Sequence, residues 1–168
     1  MTILETDRLT IRHLTMDDTE NVFALVSDED VMRYMGPPMK HEQVQPILQD
    51  VLKRYETNGF DWWGLILKSN AQFIGSIGLV KREVDKQPEV ELCFNLAKTY
   101  WGQGLITEAA TACRDYAFNT LNLTRLICIM DPQNKAAHRV AEKIGMKNES
   151  KTDWDGEPVL IYAMQKNF

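Results

Sequence analysis

The sequence predicts one α/β domain (α+β in its strand pairing), with a mixed central sheet of about seven strands flanked by about four helices. Short alternating or wholly apolar runs recur along the chain, separated by segments of helical periodicity. The strand–helix–strand unit at 89–130 implies a parallel pair with a right-handed crossover, whereas the short polar turns imply antiparallel neighbours. A chain of 168 residues is long enough to bury a core, so we expect residues 1–168 to form a single domain.

The first half of the chain combines three predicted strands with two helices. Alternation and apolar runs predict strands at 8–14, 62–67 and 73–80, the last two joined as a hairpin. Helical spacing predicts one helix that Thr15 can cap and another over 44–55. Gly36, Pro37 and Pro38 break the pattern and predict a loop.

The second half alternates strands and helices. Strands are predicted at 89–96 and at the nearly all-apolar 125–130. The chain ends in two strands, the last of them VLIYAMQ after the Asp155-Gly156 turn. A helix to about residue 121 places small apolar side chains on one face: Ile106, Ala109, Ala110, Cys113 and Ala117. A second helix ends at Gly145, which can act as its C-cap.

Composition narrows the classes of function. A net charge of −5 disfavours nonspecific nucleic-acid binding. Cys93, Cys113 and Cys128 have no CxxC spacing, which predicts free buried thiols in a reducing compartment. We find no signal-peptide pattern and no apolar run that could span a membrane, and we therefore expect a cytoplasmic protein with no membrane or nucleic-acid partner.

The stretch YWGQGLITEA places Gly102 and Gly104 directly before a predicted helix. Free N–H groups and the helix dipole favour an anion there, and glycine lets a ligand approach the backbone closely. The loop is thus suited to a phosphate or diphosphate, and a tight turn without a ligand is the alternative.

Other motifs fit less well. Thr107 stands where a dinucleotide fingerprint has its third glycine, and the GK[ST] of a Walker loop is absent. Ile74 replaces the first glycine of the GxSxG serine-hydrolase elbow around Ser76.

Three segments in order resemble the GNAT superfamily of acyl-CoA N-acyltransferases, most closely the branch of the ribosomal-protein alanine acetyltransferases (RimJ/RimL-like). They are LETDRLTIRHLTMDD, VELCFNLAKTYWGQGLITEA and NKAAHRVAEKIGMKNE, and the resemblance covers nearly the whole chain. It implies an acetyl-CoA-dependent N-acetyltransferase that needs no metal and acts on a small-molecule or peptide amine. Similar proteins are often homodimers.

The resemblance also implies which residues bind coenzyme A. The diphosphate would rest on backbone amides of the loop, and the pantetheine arm would pair with the preceding strand. Asn134, at the next helix start, would contact the arm. The implied loop and strand residues are Trp101, Gly102, Gln103, Gly104, Leu105, Ile106, Thr107, Phe94, Asn95 and Leu96.

The chain departs from the family pattern at three positions. Thr99 stands where the loop often begins with Gln or Arg, and Ala137 stands where serine is common. Ala141 occupies the position of a tyrosine that many members use as general acid. A nonenzymatic acyl-CoA-binding module therefore stays open as an alternative, with a nicotinamide-dinucleotide domain third.

Acyl transfer needs a neutral amine, and a carboxylate can remove the ammonium proton directly or through water. Glu91 is the candidate base, with Glu89 on the same strand face able to share or replace it. Tyr162 is a weaker candidate for the missing acid, and His138 is expected to be exposed or packed. Large apolar side chains are candidates for the acceptor pocket, although core packing is equally compatible: Tyr34, Met35, Trp62 and Trp63.

Overall fold

The computed structural model describes residues 1–167, which contain eight strands and five α-helices. The strands are β1 (Thr2–Glu5), β2 (Leu9–His13), β3 (Trp62–Leu67), β4 (Gln72–Val84), β5 (Gln87–Leu96), β6 (Arg125–Met130), β7 (Lys147–Trp154) and β8 (Glu157–Gln165). The helices are α1 (Thr19–Val26), α2 (Glu29–Met32), α3 (His41–Asn58), α4 (Leu105–Asn119) and α5 (Lys135–Lys143).

All the strands join one sheet in the order β1-β2-β3-β4-β5-β6-β8-β7. Every neighbouring pair is antiparallel except β5 and β6, which are parallel and are connected through α4. The predicted mixed sheet and its βαβ unit are therefore confirmed.

The parallel strands β5 and β6 share the shortest pairing in the sheet, and their junction is called the β5–β6 seam. β5 and β6 are matched at a single position, Glu91 with Ile127, whereas β4 and β5 are matched continuously from Gly75–Leu96 to Val84–Gln87. Beyond Glu91 the two parallel strands separate, which leaves the β6-facing edge of β5 open between them.

Two of the three hydrophobic clusters lie on opposite faces of the sheet, and the third is centred on Ile127 and Ile161. Neighbouring side chains of β3 show this, since Trp63 joins the larger cluster with α4 and α5, and Trp62 packs on the smaller one with α1 and α3. Consistent with the predicted small apolar face of α4, Ala109, Ala110 and Cys113 are buried. All three cysteines are free and buried, as predicted.

Two short elements, one strand and one helix, account for the difference from the predicted count. β1 has four residues, too few to show a period, and it forms only by pairing with β2. α2 is a single turn, and Asp28 caps it by accepting hydrogen bonds from the Asp30 and Val31 amides. β4 and β5 also extend further than predicted and meet at a turn whose residues Asp85 and Lys86 adopt positive φ.

No helix within residues 1–167 has the length and apolarity needed to cross a bilayer.

Candidate functional site

A cavity of about 480 Å³ opens where β5 and β6 separate. Its walls come from the second half of β5, the glycine loop (residues 100–104), the first turn of α4, the end of β6, and α5. Within the loop, the predicted cofactor residue Gln103 does not line the cavity. The segment 30–35 closes one side. Most of the residues that were predicted from the sequence to bind a ligand therefore meet around one space.

Both glycines of the loop adopt the left-handed conformation, with φ of +74° at Gly102 and +75° at Gly104. A β-carbon at Gly102 would meet no atom within 4 Å, and one at Gly104 would meet only Arg8 Nη2, at 3.7 Å. The loop thus requires glycine for its backbone conformation, because a side chain there is strained even where space is available.

Six successive backbone amides, those of residues 102–107, donate no hydrogen bond to any atom of the described chain. The last three belong to the first turn of α4, where an amide has no helical acceptor. The Trp101 amide differs from the prediction, because it donates to the Lys98 carbonyl at 3.1 Å. The predicted set of free amides therefore begins one residue later, at Gly102.

The open edge of β5 presents further backbone groups to the cavity. The Leu92 carbonyl accepts from Cys128 Sγ at 3.0 Å, and the Leu96 carbonyl accepts from Trp101 Nε1 at 2.7 Å. Strand alternation places the N–H and C=O of Phe94 on the same edge, with no partner on β6. The neighbouring Asn95 pairs with Ser76 on β4, so its backbone faces away from the gap.

Two asparagines line the cavity, and the side-chain oxygen of each already accepts a hydrogen bond within the protein. Asn95 Oδ1 accepts from the Ser76 amide at 3.1 Å and from Ser76 Oγ at 2.8 Å. Asn134 Oδ1 accepts from the Ala137 amide at 3.2 Å and so caps α5, while its Nδ2 donates to no residue in the described part of the chain. The capping role and a ligand contact at Asn134 are thus compatible.

Glu91 is a buried carboxylate at the point where the parallel strands separate. It lines the cavity and accepts a hydrogen bond from Arg82 Nε at 2.8 Å. Burial raises the pKa of Glu91 above its ordinary value, although the Arg82 guanidinium opposes that rise. A carboxylate held in this way can take up a proton at a higher pH than an exposed glutamate.

The Glu89 carboxylate is paired with an arginine outside the cavity. Its carboxylate accepts from Arg125 Nε at 3.0 and 3.1 Å, and Arg125 also pairs with Glu149. The residue is not part of the cavity wall. Glu89 thus serves a structural ion pair, which leaves Glu91 as the carboxylate at the site.

The four aromatic and apolar residues considered for the acceptor pocket divide into two pairs. Tyr34 and Met35 line the cavity and are 37% and 44% exposed, large fractions for such side chains. Trp63 is fully buried in the main core, and Trp62 packs against the cluster of α1 and α3. The structure does not bring the two tryptophans to the cavity, because β3 lies two strands away from the seam.

The side chains considered as proton donors lie outside the cavity wall. Tyr162 donates to Glu142 Oε1 at 3.2 Å and stacks on His138, whose Nε2 pairs with the Asp131 carbonyl at 2.9 Å. His138 is therefore a packing residue, in line with the prediction. Ala141 is fully buried in the main core.

Sequence reasoning missed several cations around the site. Arg82 pairs with Glu91 across the β4–β5 ladder, and Arg139 and Lys143 on α5 line the cavity. Arg139 and Lys143 are four residues apart in a predicted helix, and this spacing indicates that they share one face.

Comparison with known proteins places the chain in a family. A model of the acetyltransferase (GNAT) domain matches residues 8–147. YkkB of Bacillus subtilis is 34% identical over 96% of this chain and 94% of its own length. The N-acetyltransferase YoaA of the same organism is 30% identical over 88% of this chain and 84% of its own. The spermidine N(1)-acetyltransferase of Escherichia coli is 27% identical over 83% and 73%.

Solved acetyltransferase structures have the same fold. An acetyltransferase from Agrobacterium tumefaciens is 30% identical, with a TM-score of 0.83 over 99% of this chain and 96% of that one. RimL, a ribosomal-protein acetyltransferase solved with coenzyme A, shares the fold with a TM-score of 0.83 at 15% identity, over 98% of both chains. The chain described here belongs to the GNAT family of acetyl-CoA-dependent N-acetyltransferases.

Proposed function

We propose that this protein transfers an acetyl group from acetyl-CoA directly to a primary amine while both are bound in the cavity at the β5–β6 seam. The observation that carries the proposal is the run of six free amides, residues 102–107, at the mouth of that cavity. A diphosphate needs several convergent donors, and successive amides at a helix N-terminus supply them together with a favourable dipole.

The surroundings of the loop fit the rest of coenzyme A. An extended amide-containing arm can add to an open strand edge, and the unpaired Phe94 backbone lies on the edge next to the loop. Asn134 Nδ2 is a further available donor at the cavity wall. When bound, acetyl-CoA supplies the acetyl group as a thioester.

Glu91 acts as the general base. A lysine-type amine has a pKa of about 10.4 and an α-amine about 8, so both reach the site mostly protonated at neutral pH. Glu91 removes that proton, directly or through a water molecule, and its pair with Arg82 favours the ionised form of this buried carboxylate. A backbone N–H of the β5 edge would stabilise the developing oxyanion as the neutral amine attacks the thioester carbon. The C–S bond would then break, and coenzyme A would leave as a thiolate that takes a proton from water.

The acceptor is a primary amine on a small molecule or a peptide. Relatives act on different amines, since one is a spermidine acetyltransferase and a fold neighbour is a ribosomal-protein acetyltransferase. Tyr34 and Met35, exposed at the cavity, supply apolar contact area for the acceptor. A panel of spermidine, lysine and short peptides with free N-termini therefore covers the candidate chemistry.

The glycine loop offers a sharp test with a matched control. Gly102→Ala and Gly104→Ala should weaken acetyl-CoA binding about ten-fold or more, because they disturb the cradle of amides. Gly59→Ala is the control, since Gly59 has φ of +79° and open surroundings but ends α3 outside the cavity wall. Binding is measured by calorimetry, and turnover by thiol release with the amine panel.

The outcomes separate the alternatives. Acetyl-CoA binding that is lost in the loop variants, together with thiol release for one class of amine, supports the proposal. Binding without thiol release for every amine would instead assign a nonenzymatic acyl-CoA-binding role. Equal effects of the loop variants and Gly59→Ala would remove the loop from the cofactor site.

A further inference from the structure

A single arginine, Arg8, immediately before β2 contacts the glycine loop on the side opposite the cavity. Arg8 Nη1 donates to the Gln103 carbonyl at 2.9 Å, and Arg8 Nε donates to Glu108 Oε2 at 2.7 Å. The Arg8 backbone amide and Thr6 Oγ1 both donate to the other carboxylate oxygen, at 2.9 and 2.6 Å. Arg8 and Glu108 are 100 residues apart in the chain, so only the folded sheet brings them together.

The bond to Gln103 determines which way the loop amides point. The carbonyl of residue 103 and the N–H of Gly104 belong to the same planar trans peptide, so they point in opposite directions. Because Arg8 draws the Gln103 carbonyl toward β2, the Gly104 N–H is directed away from β2. The same bond thus favours an outward-facing donor in the middle of the cradle.

The bonds to Glu108 compensate a negative charge that would otherwise be unfavourable beside the diphosphate. Glu108 lies in the first turn of α4, the turn that supplies half of the free amides. Hydrogen bonds from Thr6 and Arg8 outweigh the effect of burial and lower the pKa of Glu108, so the residue is ionised at neutral pH. Without a partner, that carboxylate would repel a diphosphate at the same helix end.

Arg8 also brings positive charge close to the loop. Its Nη2 lies 3.7 Å from the position that a β-carbon of Gly104 would occupy. The family resemblance leads one to expect Gln or Arg at the start of the loop, where this chain has Thr99. Arg8 approaches the loop from another strand and does not form part of the cavity wall.

We propose that Thr6, Arg8 and Glu108 form a positioning clamp for the diphosphate subsite, which orients the loop amides and neutralises the carboxylate beside them. This inference rests on the proposed function, since it assumes that the loop binds coenzyme A. The clamp residues are positioning residues, because they act through the backbone of Gln103 and Gly104.

The test compares two acetyl donors. Acetyl-CoA carries the diphosphate, whereas S-acetylpantetheine lacks it and should not use the clamp. Arg8→Gln should raise the KM for acetyl-CoA about ten-fold while kcat changes little, because it removes charge-assisted hydrogen bonds from the binding loop. The same variant should leave kcat/KM for S-acetylpantetheine unchanged. A general folding defect would lower activity with both donors.

Further variants separate orientation from charge. Arg8→Lys keeps the charge but cannot reach both acceptors in fork geometry, so we expect an intermediate KM. Glu108→Gln in the Arg8→Gln background should recover part of the lost affinity, because the repelling carboxylate is gone. Arg114→Gln is the control, because Arg114 on α4 likewise bonds a backbone carbonyl, that of Ile144, and a carboxylate, that of Asp115. It lies outside the cavity wall.

Each result has a definite reading. An unchanged KM for acetyl-CoA in Arg8→Gln, or an equal loss with S-acetylpantetheine, would overturn the clamp. The proposed function would survive the loss of the clamp if the native protein binds acetyl-CoA and the Gly104→Ala variant does not. Failure of the native protein to bind acetyl-CoA would instead count against the proposed function itself.

Discussion

Arg82 donates through Nε to the Glu91 carboxylate at 2.8 Å, across the ladder that joins β4 and β5. The pair lies where β5 separates from β6, so one carboxylate is both buried and next to the cavity. Burial favours the protonated form of Glu91 and Arg82 favours the ionised form. The balance between these two effects sets the pH range in which Glu91 can accept a proton.

Replacing Glu91 by Gln removes the proposed base while keeping the shape of the side chain. We expect kcat to fall about 100-fold, the usual scale for a general base, while acetyl-CoA affinity is retained. Thiol release gives the rate and calorimetry gives the affinity. Glu89→Gln is the control, because Glu89 pairs with Arg125 outside the cavity wall. Unchanged rates for Glu91→Gln at all pH values would exclude Glu91 as the base.

The pH profile of the native enzyme should show the raised pKa of Glu91. A base works when deprotonated, so kcat/KM should fall as the pH drops through the pKa of Glu91, at a higher pH than for an ordinary glutamate. Arg82→Gln removes the charge that opposes the rise, which moves this acidic limb to still higher pH, by about one unit. The limb is measured from kcat/KM between about pH 5 and 8, the range in which proteins tend to be most stable.

Arg82→Lys serves as the control for that shift, because it keeps a positive charge on β4. Its acidic limb should lie between those of the native protein and Arg82→Gln. An acidic limb that stays in place in Arg82→Gln, in protein whose circular dichroism is native, would show that Glu91 does not control the profile.

Asn134 has two roles that substitution can separate. Asn134→Ala should cost about 1 kcal/mol of stability through loss of the α5 cap, and should also weaken acetyl-CoA binding. Asn134→Asp keeps an oxygen that can accept from the Ala137 amide but loses the Nδ2 donor. We therefore expect Asn134→Asp to keep the stability and lose the affinity.

Urea unfolding and calorimetry measure the two properties of the Asn134 variants separately. Native affinity in Asn134→Asp would mean that the residue only caps its helix.

Tyr34 and Met35 should contribute to acceptor binding. Tyr34→Ala and Met35→Ala remove apolar area at the cavity, and we expect the KM for the amine to rise between about three-fold and ten-fold. The KM for acetyl-CoA should stay near the native value. Ile47→Ala is the matched control, because Ile47 is 38% exposed on α3 and lies outside the cavity wall. A rise in the KM for acetyl-CoA instead would assign both residues to the cofactor side.

The element pattern and the loop could be read from the chain because they depend on local physics. Strands β3 and β6 have the predicted bounds, since their apolar runs end sharply at polar residues. Gly102 and Gly104 were predicted as a site of backbone freedom, and both adopt positive φ. A strand of four residues such as β1 escaped notice because it exists only through its pairing.

Long-range contacts could not be read in the same way. The sequence by itself determined the order of strands and helices, the glycine loop before α4 and the candidate carboxylate Glu91, because each follows from spacing and residue type over a few neighbours. Only the tertiary structure decided that Arg82 pairs with Glu91 and that Trp63 lies in the core. The same holds for the hydrogen bonds of Arg8 to Gln103 and Glu108. Those facts depend on strand register and sheet order, which bring together side chains that no local pattern relates.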